Sequence, residues 1–179
     1  MNPSSIVYIT GLTLFVAFGC SSGPDPIIMT VRGPVPAGDM GIALTHEHVL
    51  VDFIGADSTG LHRWDKDQVE QVVLPFLEEI RERDVKTIVE CTPAYLGRDP
   101  LLLRSLSRKS GLNILTNTGY YGAVQNKYLP EHFYGMSEGE LADLWTLEFE
   151  KGIEGTGVRP GFIKISVGPD DTLSKEHVK

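Results

Sequence analysis

Two histidines one residue apart, His46 and His48, close an apolar run in ALTHEHVLVD, with Glu47 between them. Side chains alternate across an extended strand, so both imidazoles leave on one side and Glu47 on the other. Two imidazoles converging from one strand can ligate one metal ion, although histidines at a strand end can also simply bond to backbone. A second residue bears on the choice. In GFIKIS, residues 161–166, Ile163 and Ile165 fall on one face and Phe162, Lys164 and Ser166 on the other, so Lys164 sits mid-strand and points inward if the isoleucines face helices. A buried ammonium without a partner tends to lose its proton. The neutral amine can then add carbon dioxide, and the resulting carbamate is a carboxylate on a long stem able to bridge two metals. Pairing with Asp52 or Glu90, or snorkelling at the strand end, would explain the same lysine.

The elements that must position these residues alternate along the chain. A first strand is expected at 42–45. Asp65 caps a helix running to about Arg83, because Val69, Val72, Val73, Phe76, Leu77 and Ile80 recur at three-and-four spacing, with a kink expected at Pro75. A second strand follows at 86–92. The next helix carries Asp99 as N-cap, Pro100 in its first turn and Gly111 just past its end. A third strand spans 113–119, and a loop rich in Tyr, Gly and Pro leads to Gly135. Ser137 and Glu140 then form a capping box for a helix whose apolar face holds Leu141, Leu144, Trp145 and Phe149. The fourth strand is 161–166. Strand and helix in alternation imply an α/β fold of parallel strands with right-handed crossovers, either a doubly wound sheet or the start of a (β/α)8 barrel. A doubly wound nucleotide binder usually carries a Gly-rich turn after its first strand, and here that turn is HEH. At the C-terminal end of a barrel strand, the histidines would stand where such enzymes keep their active sites.

A formal charge of −8 over 179 residues, with no run of Lys or Arg, argues against a nucleic-acid partner. The first 23 residues carry no charged side chain, and 6–18 is an apolar stretch short for a membrane span. It reads as an export signal. Ala17-Phe18-Gly19-Cys20 followed by Ser21-Ser22-Gly23 resembles a lipoprotein signal cut before a lipidated cysteine, with an ordinary secretory signal as the alternative. The expected organisation is therefore a signal at 1–19, a tether at 20–29 and the catalytic-type domain at 30–179. The protein is expected to be exported, periplasmic or membrane-anchored through Cys20. Cys91 would then be the only thiol left, which excludes an internal disulfide.

The segment TVRGPVPAGDMGIALTHEHVLVD, the TNTGYY end of strand three and RPGFIKIS resemble the phosphotriesterase family of the amidohydrolase superfamily, in the same order and at similar separation. The resemblance implies a (β/α)8 TIM barrel with a binuclear metal centre, usually zinc. His46 and His48 match two ligands of its more buried metal, and Lys164 matches the lysine whose carbamate bridges both metals. In such a centre a bridging hydroxide attacks the phosphorus or carbonyl carbon of a small-molecule ester, lactone or phosphotriester. Tyr121 matches an aromatic position of the substrate pocket, and a tyrosine there is more similar to lactonase and carboxylesterase relatives than to organophosphate hydrolases. It could equally be a rim aromatic packing its loop.

The family takes two further histidines from strands five and six and an aspartate from strand eight, and the sequence ends at Lys179, soon after strand four. His62, His132 and His177 lie in polar segments and are expected at the surface. A complete barrel of this type needs at least about 200 residues. The expectation is thus the N-terminal half of the barrel, its first four or so β/α units, with an open sheet edge and exposed apolar faces. Catalysis by the chain is left open. The alternatives are a catalytically inactive lipoprotein fragment with a partial metal site, or two half-barrels pairing as a homodimer.

Overall fold

In the computed structural model, which describes residues 23, 25–169 and 172–179, the hydrophobic alternation of the chain resolves into successive parallel β/α units. The signal segment and Cys20 lie outside the described residues. An antiparallel hairpin, β1 (Ile27–Thr30) and β2 (Gly33–Pro36), comes first. Part of the expected tether therefore belongs to the fold: Val31 N–H donates to the Ile114 carbonyl at 2.8 Å, fastening the hairpin beneath the sheet.

Then come β3 (Ile42–Glu47), α1 (Lys66–Glu82), β4 (Val85–Glu90), α2 (Pro100–Ser110), β5 (Asn113–Leu115), β6 (Asn117–Thr118), α3 (Glu131–Gly135), α4 (Glu138–Lys151) and β7 (Phe162–Ile163). β3 pairs parallel with β4, β4 with β5, and β6 with β7. In each parallel pair the strands follow one another in sequence, the order in which a barrel wall is laid down. No closed barrel forms among the described residues.

Helix boundaries follow the capping chemistry. The Asp65 carboxylate accepts from Gln68 N–H at 3.0 Å, and Asp99 accepts from Leu102 N–H at 3.1 Å. Gly111 ends α2 in the left-handed region at φ 80°, and the Ser137/Glu140 capping box is present at α4. α1 continues as one helix through Pro75.

The strands depart more from expectation. The third strand breaks at Thr116, and regular β7 covers only two residues, although the Lys164 N–H still donates to the Thr118 carbonyl at 2.7 Å and Tyr121 bridges to Ser166. Lys164 therefore follows β7 instead of lying in its middle.

Ile88, Leu102, Leu103, Leu106, Leu112, Ile114 and Leu77 form the main core between the sheet and helices α1 and α2. A second cluster gathers Tyr120, Leu129, Phe133 and Leu141, with Leu144 and Trp145 against it. Fully burying a leucine contributes about 2 kcal/mol, so these clusters, and not the short strands, hold the units together. Of the face predicted for α1, Leu77 is buried and Val69, Val73 and Ile80 half-buried, but Val72 and Phe76 are about two-thirds exposed. Phe76 lies beside Leu44 and Glu47 of β3, a strand that has a partner on one side only among the described residues. Ile163 and Ile165, whose facing the helices was the condition for Lys164 to point inward, are also more than half exposed.

Candidate metal centre

The register between β3 and β4 slips by one residue between Leu44 and Glu47, a β-bulge immediately before His48. Bulges re-aim the side chains that follow them, and this one lies beside the His-Glu-His run. The His46 and His48 rings meet edge-on with centroids 5.2 Å apart. Both residues are exposed at the C-terminal end of the strand. Their proximity matches the expectation from alternation.

Lys164 reaches the same region. Desolvation is the first cause that holds the His48 imidazolium below its ordinary pKa; the charges of His46 and Lys164 add to it, and Glu47 opposes. Burial pushes the Cys91 thiol up, while Lys164 pulls it the other way. The charge of Lys164 is thus felt at both His48 and Cys91, beyond the ends of β3 and β4. The carboxylate pairing considered for this lysine is absent: Asp52 is bonded to Arg63 at 2.5 Å and to Thr59 at 2.9 Å, and Glu90 is taken up by Thr92. Among the described residues Lys164 has no carboxylate partner within salt-bridge distance.

Gly119 explains how the chain brings Lys164 there. It adopts φ +107°, and a Cβ at that position would lie 2.9 Å from the Lys164 carbonyl carbon and closer still to its oxygen. Only glycine permits that approach of the two backbones.

Tyr121 is half-buried, and its ring rests edge-on against Tyr128 at 5.5 Å between centroids. Of its two readings, the loop-packing contact is therefore present. His62 and His132 are exposed, as expected, but the His132 Nε2 meets the Tyr120 hydroxyl at 3.0 Å. His177 is half-buried, with Nε2 2.7 Å from the Gly122 carbonyl.

Sequence reading missed the residues behind His48. Its Nδ1 lies 2.9 Å from the Thr92 hydroxyl, and Thr92 bonds in turn to the buried Glu90 carboxylate. Asn117 Nδ2 donates to both the Glu90 and the Thr92 carbonyls at 3.1 Å, tying β4 to β6. The alternation in Glu90-Cys91-Thr92 was the available signal, since it sets the carboxylate and hydroxyl on one side.

A profile described as the phosphotriesterase family matches residues 26–178, nearly all of the described chain. The chain belongs to the phosphotriesterase family. It is 30% identical over 135 residues to an aryldialkylphosphatase of Saccharolobus solfataricus, covering 75% of this chain and 42% of that protein. The organophosphorus hydrolase of Deinococcus radiodurans superposes with a TM-score of 0.76 at 28% identity, covering 88% of this chain and 48% of that one. A mutant of a PTE-like lactonase from the same organism superposes at 0.74 and 29% identity, covering 84% and 48%. This phosphotriesterase-family chain thus spans about half the length of the relatives it matches.

The donor chemistry fits part of a divalent-cation site. His46 and His48 are adjacent imidazoles, His48 is held toward its neutral form, and its Nδ1 is engaged by Thr92 while no hydrogen bond engages its Nε2 among the described residues. No group of three or more His, Cys, Asp or Glu side chains that could hold a metal ion occurs among the described residues.

Proposed function

We propose that this chain carries the first ligands of a metal-dependent hydrolase acting on small-molecule esters, lactones or phosphotriesters. The observation that carries the reading is the pairing of the His46 and His48 rings, 5.2 Å between centroids, at the C-terminal end of β3; the charge of Lys164 acting on His48 supports it. When bound there, a pair of divalent cations, zinc being the first choice, would supply Lewis acidity toward water and the ester oxygen. His46 and His48 would hold the cation through imidazole nitrogen, and Lys164, as its carbamate, would contribute an anionic oxygen donor. The phenol face of Tyr121 would border the substrate and orient its apolar part. The relatives named an aryldialkylphosphatase and a lactonase support this range of substrates. Export, with a lipid anchor at Cys20, and a homodimer complete the proposal; small-molecule substrates leave no role for nucleic acid.

The test is hydrolysis of an aryl ester, a lactone and a dialkyl aryl phosphate by purified protein supplied with zinc and bicarbonate. Turnover of at least one, lost in His46→Ala, His48→Ala and Lys164→Ala, is the expected result. Activity unchanged in those variants would refute the assignment. One observation favours a second reading, a partial site that binds metal without hydrolysis: no third His, Cys, Asp or Glu joins the two histidines among the described residues. Zinc binding without turnover of any of the three substrates would select it.

A further inference from the structure

The hydrogen bonds behind His48 form a line whose proton positions can be worked out from its donors and acceptors. Glu90 is 1% exposed and Thr92 fully buried. The two oxygens of the Glu90 carboxylate each face a backbone donor: Val49 N–H reaches Oε1 at 3.3 Å and Thr92 N–H reaches Oε2 at 3.2 Å. The ionised carboxylate, facing two N–H donors, can only accept, so the Thr92 hydroxyl uses its one proton to donate to Glu90 Oε1. The hydroxyl oxygen then has only lone pairs to offer His48 Nδ1, which lies 2.9 Å away. Asn117 holds the same segment by donating to the carbonyls of Glu90 and Thr92, so the hydroxyl is presented from a pinned backbone.

We propose that Glu90 and Thr92 act as positioning residues that keep the proton of neutral His48 on Nδ1, leaving the Nε2 lone pair free for a divalent cation. The purpose of this arrangement rests on the reading of His48 as a ligand, but the tautomer it enforces exists with or without metal. Neither residue touches the substrate. Their effect runs through the orientation and basicity of one imidazole, as outer-shell partners of metal-bound histidines generally act. The bulge in β3 belongs to the same device, since it lies just before Val49 and His48, which meet Glu90 and Thr92 at the end of β4.

The experiment reads the tautomer directly. The full chain is labelled with 15N-histidine, stripped of metal with a chelator, and examined by two-bond 1H–15N correlation at mildly alkaline pH, with His48→Gln assigning the resonance. Wild type is expected to show His48 protonated at Nδ1. Thr92→Val should move it to the Nε2–H form, and Thr92→Ser should restore it. Glu90→Gln gives a second perturbation that keeps the hydroxyl in place, and it should produce a mixture of both tautomers. In parallel, zinc affinity by chelator competition should fall by about 10- to 100-fold in Thr92→Val and recover in Thr92→Ser. His48 protonated at Nε2 in wild type, or a tautomer unmoved by both variants, overturns the proposal. A wild type that binds no zinc yet carries the Nδ1 proton would sink the metal assignment and leave the relay standing, so the two failures are separable.

Discussion

Gly119→Ala should be far more damaging than a single added methyl group suggests. The new Cβ would lie 2.9 Å from the Lys164 carbonyl carbon and 3.2 Å from its nitrogen, and closest of all to the carbonyl oxygen. Ordinary contacts lie near 3.5 Å, so β6 and the segment after β7 must separate by roughly half an ångström or more. Holding alanine at φ +107° adds about 1–3 kcal/mol of backbone strain, and overpacking adds about 1–3 kcal/mol. The Lys164 N–H to Thr118 carbonyl bond, 2.7 Å long, lies in the stressed region and is worth about 1 kcal/mol. Together these predict a loss of about 3–7 kcal/mol, a large part of the stability of a typical domain. Urea denaturation gives the value from the midpoint and slope. Gly135→Ala is the control, because nothing lies within 4 Å of its Cβ position; it should change stability by less than about 0.5 kcal/mol. A Gly119→Ala protein within about 1 kcal/mol of wild type would refute the close approach and with it the account of how Lys164 is placed.

Three further outcomes follow from other sites. Burial raises the Glu90 carboxyl from 4.5 to about 7, so between those values the folded state binds more protons than the unfolded one and stability falls as pH rises. At about 1.4 kcal/mol per pH unit this amounts to about 3 kcal/mol. The stability difference between wild type and Glu90→Gln should therefore shrink or change sign by that amount from pH 4.5 to above pH 7, and parallel pH profiles would contradict it. Arg98→Met should cost about 3–5 kcal/mol in denaturation, since Arg98 donates to Glu148 at 3.0 Å and to the Asn117 carbonyl at 2.8 Å, and its loss strands the mostly buried Glu148 carboxylate. Leu106→Ala, at a fully buried position between α2 and the sheet, should cost about 2–5 kcal/mol by the same assay.

Much of this fold could be read from local chemistry. Asp65, Asp99, Ser137 and Gly111 mark helix ends because capping depends on residues within one turn. Strand extents were less legible, since pairing depends on neighbours distant in sequence: Thr116 interrupts the third strand, and the regular part of the fourth is only two residues. The β1–β2 hairpin was hidden for a similar reason, because its anchor, Val31 to Ile114, spans most of the domain. Exposure of Val72, Phe76, Ile163 and Ile165 could not be judged from periodicity, which shows that a face is apolar without showing what covers it.

At the site, the pairing of His46 with His48 was visible because alternation on one strand is local geometry. The proposal that Lys164 joins them came from resemblance to the phosphotriesterase family, since more than a hundred residues separate it from the histidines. The Thr92–Glu90 contact was not foreseen, and depends on a one-residue bulge that pattern reading cannot locate.

The central claim is that His46, His48 and Lys164 share a divalent cation. Crystals of the full chain, grown with zinc and bicarbonate and measured on both sides of the zinc absorption edge, test it most directly. The expected result is an anomalous peak about 2.0–2.1 Å from a nitrogen of each histidine, with density for a carbamate on the Lys164 amine. A zinc-loaded crystal with no peak between these three side chains, and an unmodified lysine, would contradict it.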